Sequence, residues 1–440
     1  MLKRRDLLLI AAYSWVLVWL AGLRPLWLDE VLQLIASTQP NIRGLIRWVT
    51  YNPGAAPAGY LVQRMFALPL GLAPLAARAA PAVFGVLAAL ALAGFARALK
   101  ASPVTVALAV FLVAPLELRY AVEGRPYSQA LFFGLAALWC LWRLAEAPSW
   151  KIAAAYAALV SAGLYTQLLS VSVQLGALAA LTAAGQRKAK RLGGIALAIA
   201  CALFAPWYLY VRSAWHFGIT ASHFSFAMAP KTLAMLVREI SGGGYVASLA
   251  LIGAAALGWR RADRLAHRFL LGGIASGIVG AIAADAFFGY FFAGRQILFV
   301  LPALVLLATV GFRNPRCERW QAALLAIFVI ASLIKDVRYF RSPGEDWPGA
   351  ARAVLAATNH GACAIVPSPE PKEMYKLFVP GLAGRFCDAS DAARQAVIVQ
   401  SRYTVASSLQ EATRTLAARG FRPGGKTDIC GVRLVQFFQK

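Results

Sequence analysis

Charge is scarce in this chain, and acid scarcer still. Of 440 residues only 14% are charged, with 19 acidic residues against 44 Lys and Arg. A soluble domain carries roughly 25% charge, so a soluble globular protein is excluded. Histidine, with four residues, and cysteine, with six, are too few and too scattered for a metal-ligand pattern. Cys140, Cys201 and Cys317 fall in apolar stretches or beside them, with no metal-ligand spacing. The formal net charge of +25 invites a nucleic-acid partner. That partner is excluded, because the basic residues are strung between apolar runs, where they act as topology signals.

What is present is hydrophobic, 60% of the chain. Apolar stretches of about 17–25 residues, the length of a membrane span, recur over the first three quarters. The expected architecture is a polytopic α-helical membrane protein with about eleven transmembrane helices. They cover approximately 7–23, 80–97, 103–118, 127–145, 152–165, 168–185, 192–209, 245–258, 269–285, 296–312 and 320–336. Residues 152–185 also read as one long bent segment, with a break at "YTQ" (165–167). The first stretch follows Lys3, Arg4 and Arg5 without a small-residue cleavage site and is read as an uncleaved helix. With the N-terminus in the cytoplasm, "QRKAKR" (186–191), "WRRADRLAHR" (259–268) and "RNPRCER" (313–319) become cytoplasmic loops, as the positive-inside rule requires. Residues 59–73 are read as a helix on the outer surface, with Arg64 snorkelling. Residues 24–79 and 210–244 are then long outer loops of a domain covering 1–340.

From 341 to 440 the composition turns mixed and polar, and a small periplasmic α/β domain is expected. Asp346 starts a helix there. "CAIVP" (363–367) and "QAVIV" (395–399) read as buried strands, 407–420 as a helix closed by Gly420, and 430–438 as a terminal strand. Cys363, Cys387 and Cys430 allow one disulfide, with the pair left open.

This topology gathers Asp29, Glu30, Arg78, Glu117, Arg119, Glu123, Arg125, Glu239, Asp285 and Arg295 at the outer face. Ionisable groups beside the hydrocarbon are costly and tend to serve function. Three stretches carry most of them: "WLDEVLQL" (27–34), "AARAAPAVFGVLAALAL" (76–92) and "LELRYAVEGRPYSQALFFGLAAL" (116–138). In order and spacing these resemble the GT-C glycosyltransferases that use polyprenyl-phosphate sugars. That group includes protein O-mannosyltransferases, lipid A aminoarabinose transferases and rhizobial galacturonosyltransferases. The acidic pair follows a Trp in the first outer loop, "YNPGAAPAGYLV" (51–62) resembles the motif opening the surface helix, and "EGRPYSQAL" (123–131) resembles a Glu-x-Arg-x-Tyr turn.

The resemblance implies an inverting transfer of a hexosyl or pentosyl group to an acceptor on the outer face of a bacterial inner membrane. The acceptor is lipid A or lipopolysaccharide, a glycan, or a protein. A hydroxyl is a poor nucleophile until a base takes its proton. Asp29 is the expected base, with Glu30 beside it. The leaving lipid phosphate needs cations, and Arg78, Arg125 and Arg295 are expected to hold it. Glu123 and Tyr127 would orient the substrate. No cofactor is expected. One branch of the family binds a metal through a Glu and a His, but here Asn52 stands near the first position and Gly54 replaces a proline. His216 and His223 lie in the corresponding loop. The competing readings are a transporter or lipid-linked sugar translocator, and a GT-C scaffold without activity. No internal repeat supports the first.

Overall fold

The computed structural model describes residues 2–50, 52, 55–100, 103–214, 229–259, 263–288, 293–310, 315–342, 344–359, 361–367, 372–401 and 404–439. His216, His223 and Gly54 lie outside the described residues. The chain opens with α1 (Arg4–Leu23), followed by three short helices, α2 (Leu28–Ser37), α3 (Ile42–Thr50) and α4 (Pro57–Leu70). Then come α5 (Pro74–Ala98), α6 (Val104–Leu112), α7 (Pro115–Ala121), α8 (Tyr127–Glu146), α9 (Trp150–Leu164), α10 (Ser172–Ala183) and α11 (Arg187–Val211). The second half holds α12 (Ala229–Glu239), α13 (Gly244–Trp259), α14 (Arg264–Phe288), α15 (Leu301–Thr309) and α16 (Pro315–Arg341).

The chain is a polytopic helical membrane protein. Among the described residues six helices are long and apolar enough to cross a bilayer, or up to eight if each bent pair is one span. Among the described residues the expected stretches fall mainly on helix, but α9, α10 and α15 are shorter apolar helices. One expected straight span, 103–118, is broken instead, and a second bend joins the expected span 245–258 to a helix in the expected outer loop. α6 and α7 meet at 67°, and α12 and α13 at 80°. The first break follows from Pro115. Proline disfavours helical backbone at the residue before it, and Ala114 is extended. The next donor, Leu116 N–H, leaves the helix for Ser241 C=O at 3.0 Å. A 3₁₀ turn, Leu168–Val171, marks the break expected at 165–167.

Start and end of the bundle are fixed by cross-contacts. Thr105 Oγ1 donates to Asp6 Oδ1 at 2.5 Å, so the beginnings of α1 and α6 meet at one end. At the other end Ala58 N–H reaches Tyr165 C=O at 2.9 Å and Trp207 Nε1 reaches Ala55 C=O at 3.3 Å. The segment 24–73 lies at this second end. α4 runs from 57 to 70, but Arg64 does not snorkel. It donates to the carbonyls of Ser37 (3.0 Å) and Gln39, and so caps the C-terminus of α2.

The same end carries the C-terminal domain: α17 (Trp347–Thr358), β1 (Cys363–Ile365), α18 (Glu373–Phe378), β2 (Gln395–Ser401), α19 (Ala406–Ala418), β3 (Phe421–Ile429) and β4 (Val432–Gln439). The sheet order is β1-β2-β4-β3, with β1 and β2 parallel and the other pairs antiparallel. Asp346 caps α17 by accepting from Gly349 N–H at 2.8 Å. The expected single terminal strand is a hairpin. β3 escapes the sequence pattern because Pro423-Gly424-Gly425 interrupt it with a bulge, and its exposed edge has no apolar alternation.

Alternate residues of β2 feed two cores. Ala396 and Ile398 pack with α19. Val397 and Val399 join a cluster that holds Trp347, Val354 and Tyr375, and also Leu26, Val31, Leu34 and Ile35 of the first loop. The apolar face of α2 is therefore buried against the C-terminal domain.

Cys363 and Cys387 form the disulfide, and Cys430 is free and exposed. The bridge closes a loop with a sequence separation of 24. Its removal by Cys363→Ser with Cys387→Ser is expected to destabilise this domain by about 3 kcal/mol. Denaturant titration followed by limited proteolysis of the domain measures this, and an unchanged midpoint would contradict it.

Candidate active site

α2 shows two buried faces. Val31, Leu34 and Ile35 point to the C-terminal domain. Glu30, Gln33 and Ser37, spaced to share the opposite face, are buried against the bundle. Glu30 meets Arg78 of α5 in a bidentate pair, Nε to Oε1 and Nη2 to Oε2, both 2.7 Å. Glu30 Oε1 also accepts from Gly124 N–H at 2.7 Å, and Oε2 accepts from Trp27 N–H at 3.2 Å. The remaining Arg78 donors go to the carbonyls of Ala21 (3.0 Å), Arg24 (2.8 Å) and Pro25 (3.0 Å). Every N–H of the Arg78 fork is thus taken by protein, and both Glu30 oxygens are occupied. The pair fastens α2 to α5 and to the 123–126 turn. As placed, Arg78 offers charge, but no open donor, to a phosphate.

Gln63 completes the fastening. Its amide donates to Ala77 C=O (3.1 Å) and Gly124 C=O (3.3 Å) and accepts from Ser37 Oγ (3.3 Å). Gly59 lets α4 come this close, since a Cβ there would sit 2.3 Å from Pro126 Cβ.

Asp29 stands apart from this clasp. Its carboxylate keeps a quarter of its surface exposed and faces Arg295 Nη1 at 3.6 Å, a looser pairing than Glu30 has. Arg125 Nη1 reaches the Asp29 carbonyl (3.5 Å) and Gln33 Oε1 (3.3 Å). Arg125 and Arg295 both lie over the Tyr127 ring, at 5.8 and 5.9 Å, and Tyr127 packs edge-on against Tyr120 at 4.9 Å. Asp29, Arg125, Arg295 and Tyr127, named from the sequence, are therefore brought together. Gln33 and Gln63 were not expected. A polar residue one helical turn from each of two acids was the signal available.

Beside this cluster a cavity of about 620 Å³ opens between the bundle and the C-terminal domain. Glu30, Arg78, Tyr120 and Glu123 line it, with Arg24, Arg119 and Tyr339, which sequence reasoning did not place together. Glu123 is buried, and its Oε1 has no hydrogen-bond partner. Burial first, then the nearby Glu30 and Asp29 charges, push its pKa up to about 8, against the pull of Arg295 and Arg125. The folded protein therefore binds a proton here that the unfolded chain releases between the ordinary value of 4.5 and about 8. This carboxyl's contribution to stability is full below that window and falls as pH rises through it. The melting temperature of wild type minus that of Glu123→Gln is expected to shrink from pH 5 to pH 9. A gap independent of pH would remove Glu123 as its source.

At the position nearest the family's metal ligand, Asn52 gives its amide Nδ2 to Tyr60 OH at 2.7 Å. Among the described residues no three His, Cys, Asp or Glu gather to hold a metal ion.

No protein-family model matches the chain, and no curated protein matches it either. Solved structures do. ArnT from Cupriavidus metallidurans in the apo state aligns with a TM-score of 0.66 at 13% identity, over 98% of this chain and 97% of that one. The same protein bound to undecaprenyl phosphate aligns with a TM-score of 0.63 at 13% identity, with the same coverage. The mycobacterial arabinofuranosyltransferase AftD gives 0.58 at 15% identity, over 99% of this chain, which spans 40% of that one. At these identities the likeness establishes the fold, and the fold is GT-C.

Proposed function

We propose that this protein is an integral membrane glycosyltransferase that moves a sugar, with inversion, from a polyprenyl-phosphate donor to an acceptor hydroxyl. The reading rests on one observation above all. A partly exposed, loosely paired carboxylate, Asp29, stands at the start of a rigidly fastened helix beside two arginines, Arg125 and Arg295. The undecaprenyl phosphate held by the similarly folded ArnT supports the donor class.

In this scheme Asp29 takes the acceptor proton as the hydroxyl oxygen forms its bond to the anomeric carbon. The bond from that carbon to the phosphate oxygen breaks, and its electron pair leaves with the lipid phosphate. Arg295 and Arg125 stabilise the charge that develops there. Arg295 swings its loose contact from Asp29 toward the phosphate, which frees the carboxylate. Glu123, neutral at pH 7, is a hydrogen-bond donor to a sugar oxygen, and Tyr127 offers the sugar a ring face. No metal enters the scheme. The basic start of α11, Arg187 to Arg191, lies at the end of the bundle opposite the site, since Trp207 near the other end of that helix reaches Ala55. By the positive-inside rule this supports an N-terminus in the cytoplasm and a C-terminal domain in the periplasm of a bacterial inner membrane. The acceptor is a lipid A or lipopolysaccharide hydroxyl, a glycan or a protein.

The test is transfer by purified protein in nanodiscs. A panel of radiolabelled polyprenyl-phosphate sugars is supplied with membrane extract as acceptor. Label moved to the acceptor with the opposite anomeric configuration is the expected result. No transfer from any donor would overturn the reading.

A further inference from the structure

The cavity beside Asp29 holds charge that the transfer scheme leaves unused. Arg24, at the C-terminal end of α1, and Arg119, in α7, both stack on the Tyr339 ring of α16, at 4.4 and 4.5 Å. Neither makes an ion pair among the described residues. The Nε of each is buried with no hydrogen-bond partner. The Arg119 side chain makes a single long bond, Nη2 to Gly242 C=O at 3.4 Å. Both side chains are half-buried, and a buried Nε–H without a partner on each is costly unless an acceptor completes it. A planar fork is matched best by phosphate or carboxylate oxygens.

The surroundings say what carries the anion. Leu20 and Phe340 line the cavity at the ends of α1 and α16. Trp19, Leu23 and Val337, on the same two helix ends, are exposed apolar side chains of membrane-spanning helices. Gly344, Glu345, Cys430 and Gly431 of the C-terminal segment form the remaining wall. The cavity is thus charged inside, greasy at its membrane side and capped by the soluble domain. It is also separate from the place where the donor phosphate must leave. Asp29, Arg125 and Arg295 do not line it, and the saturated Glu30–Arg78 pair forms its wall on that side.

We propose that Arg24, Arg119 and Tyr339 form a second anion site, distinct from the donor's, that binds the phosphate of a lipid. The site itself stands on the cavity and its unmet donors. Only its use, holding a phosphorylated lipid acceptor with its hydroxyl toward Asp29, rests on the transfer reading.

The experiment is binding, so that absence of transfer and absence of this site are told apart. Wild type in nanodiscs of phosphatidylcholine is treated with phenylglyoxal, and modification of each arginine is read by mass spectrometry. Phosphatidic acid in the disc is expected to protect Arg24 and Arg119. Undecaprenyl phosphate is expected to protect Arg125 and Arg295 and to leave Arg24 and Arg119 reactive. Protection of Arg24 and Arg119 by undecaprenyl phosphate would make the cradle the donor's own and overturn the proposal. Equal protection by inorganic phosphate would overturn its lipid character, and no protection by any of the three would overturn the site. The Arg24→Gln, Arg119→Gln double variant is then expected to bind phosphatidic acid about tenfold or more weakly. It should hold undecaprenyl phosphate undiminished, which also reports that it is folded.

Discussion

Replacing Asp29 by asparagine is expected to lower sugar transfer by about 10²–10⁴-fold, with the fold intact. Asparagine keeps the shape of the side chain and an oxygen for Arg295, which lies 3.6 Å from the native carboxylate. It cannot take a proton. The loss belongs to kcat, because binding of donor and acceptor does not require the base to be charged. The Asp29 side chain makes none of the hydrogen bonds that fasten α2, which run through the side chains of Glu30, Gln33 and Ser37. The melting temperature should therefore stay near that of wild type. Initial rates in nanodiscs, with melting curves on the same samples, measure both. Transfer that survives the substitution would remove Asp29 as the base.

Glu30 gives the opposite profile. Arg78→Met or Glu30→Gln breaks a buried pair and is expected to destabilise the protein by about 3–5 kcal/mol. Loss of Arg78 strands the Glu30 carboxylate and leaves three carbonyls, those of Ala21, Arg24 and Pro25, without their donor. Loss of the Glu30 charge leaves Arg78 uncompensated in a site where it is almost wholly covered. Replacing both by apolar residues should cost less than the two single changes added together, because each single variant strands its partner. Even Arg78→Lys should be poorly tolerated, since an ammonium cannot span two carboxylate oxygens and three carbonyls at once. Denaturant or thermal inactivation in detergent reads all four variants. Full stability of Arg78→Lys would show that the fork geometry is not what matters.

Hydrophobic length made the bundle legible in the sequence, because each span must satisfy its own backbone in lipid. The helices of the first loop were not legible. The apolar face of α2 is only Val31, Leu34 and Ile35, and its partner surface lies in a domain some three hundred residues later in the chain. Arg64 read as an anchor because a carbonyl-capping role depends on where α2 ends. The site divides the same way. The acidic pair and the Glu-x-Arg-x-Tyr turn carried Asp29, Glu30, Glu123, Arg125 and Tyr127, since these positions cluster in short motifs. Which acid is engaged and which is open was hidden, because it turns on the Gly124 N–H and the Arg78 fork. Arg24 and Tyr339 sit at the ends of helices far apart in sequence, where an anchor at the membrane interface is the ordinary reading.

The helix that carries Asp29 is also held from above. Glu345 Oε2 accepts from Leu28 N–H, the first donor of α2, at 3.0 Å, and from Trp347 Nε1 at 2.8 Å. Leu26 C=O accepts from Trp347 N–H at 3.5 Å. Synthesis therefore delivers the Asp29 carboxylate long before it delivers the surface that seats its helix. A nascent bundle has every span it needs, but α2 has one wet, unsupported side until residue 345 and the sheet behind it have emerged and folded. If Asp29 is the base, competence to react waits on the C-terminal domain, because α2 is seated only once residue 345 and the sheet behind it have folded.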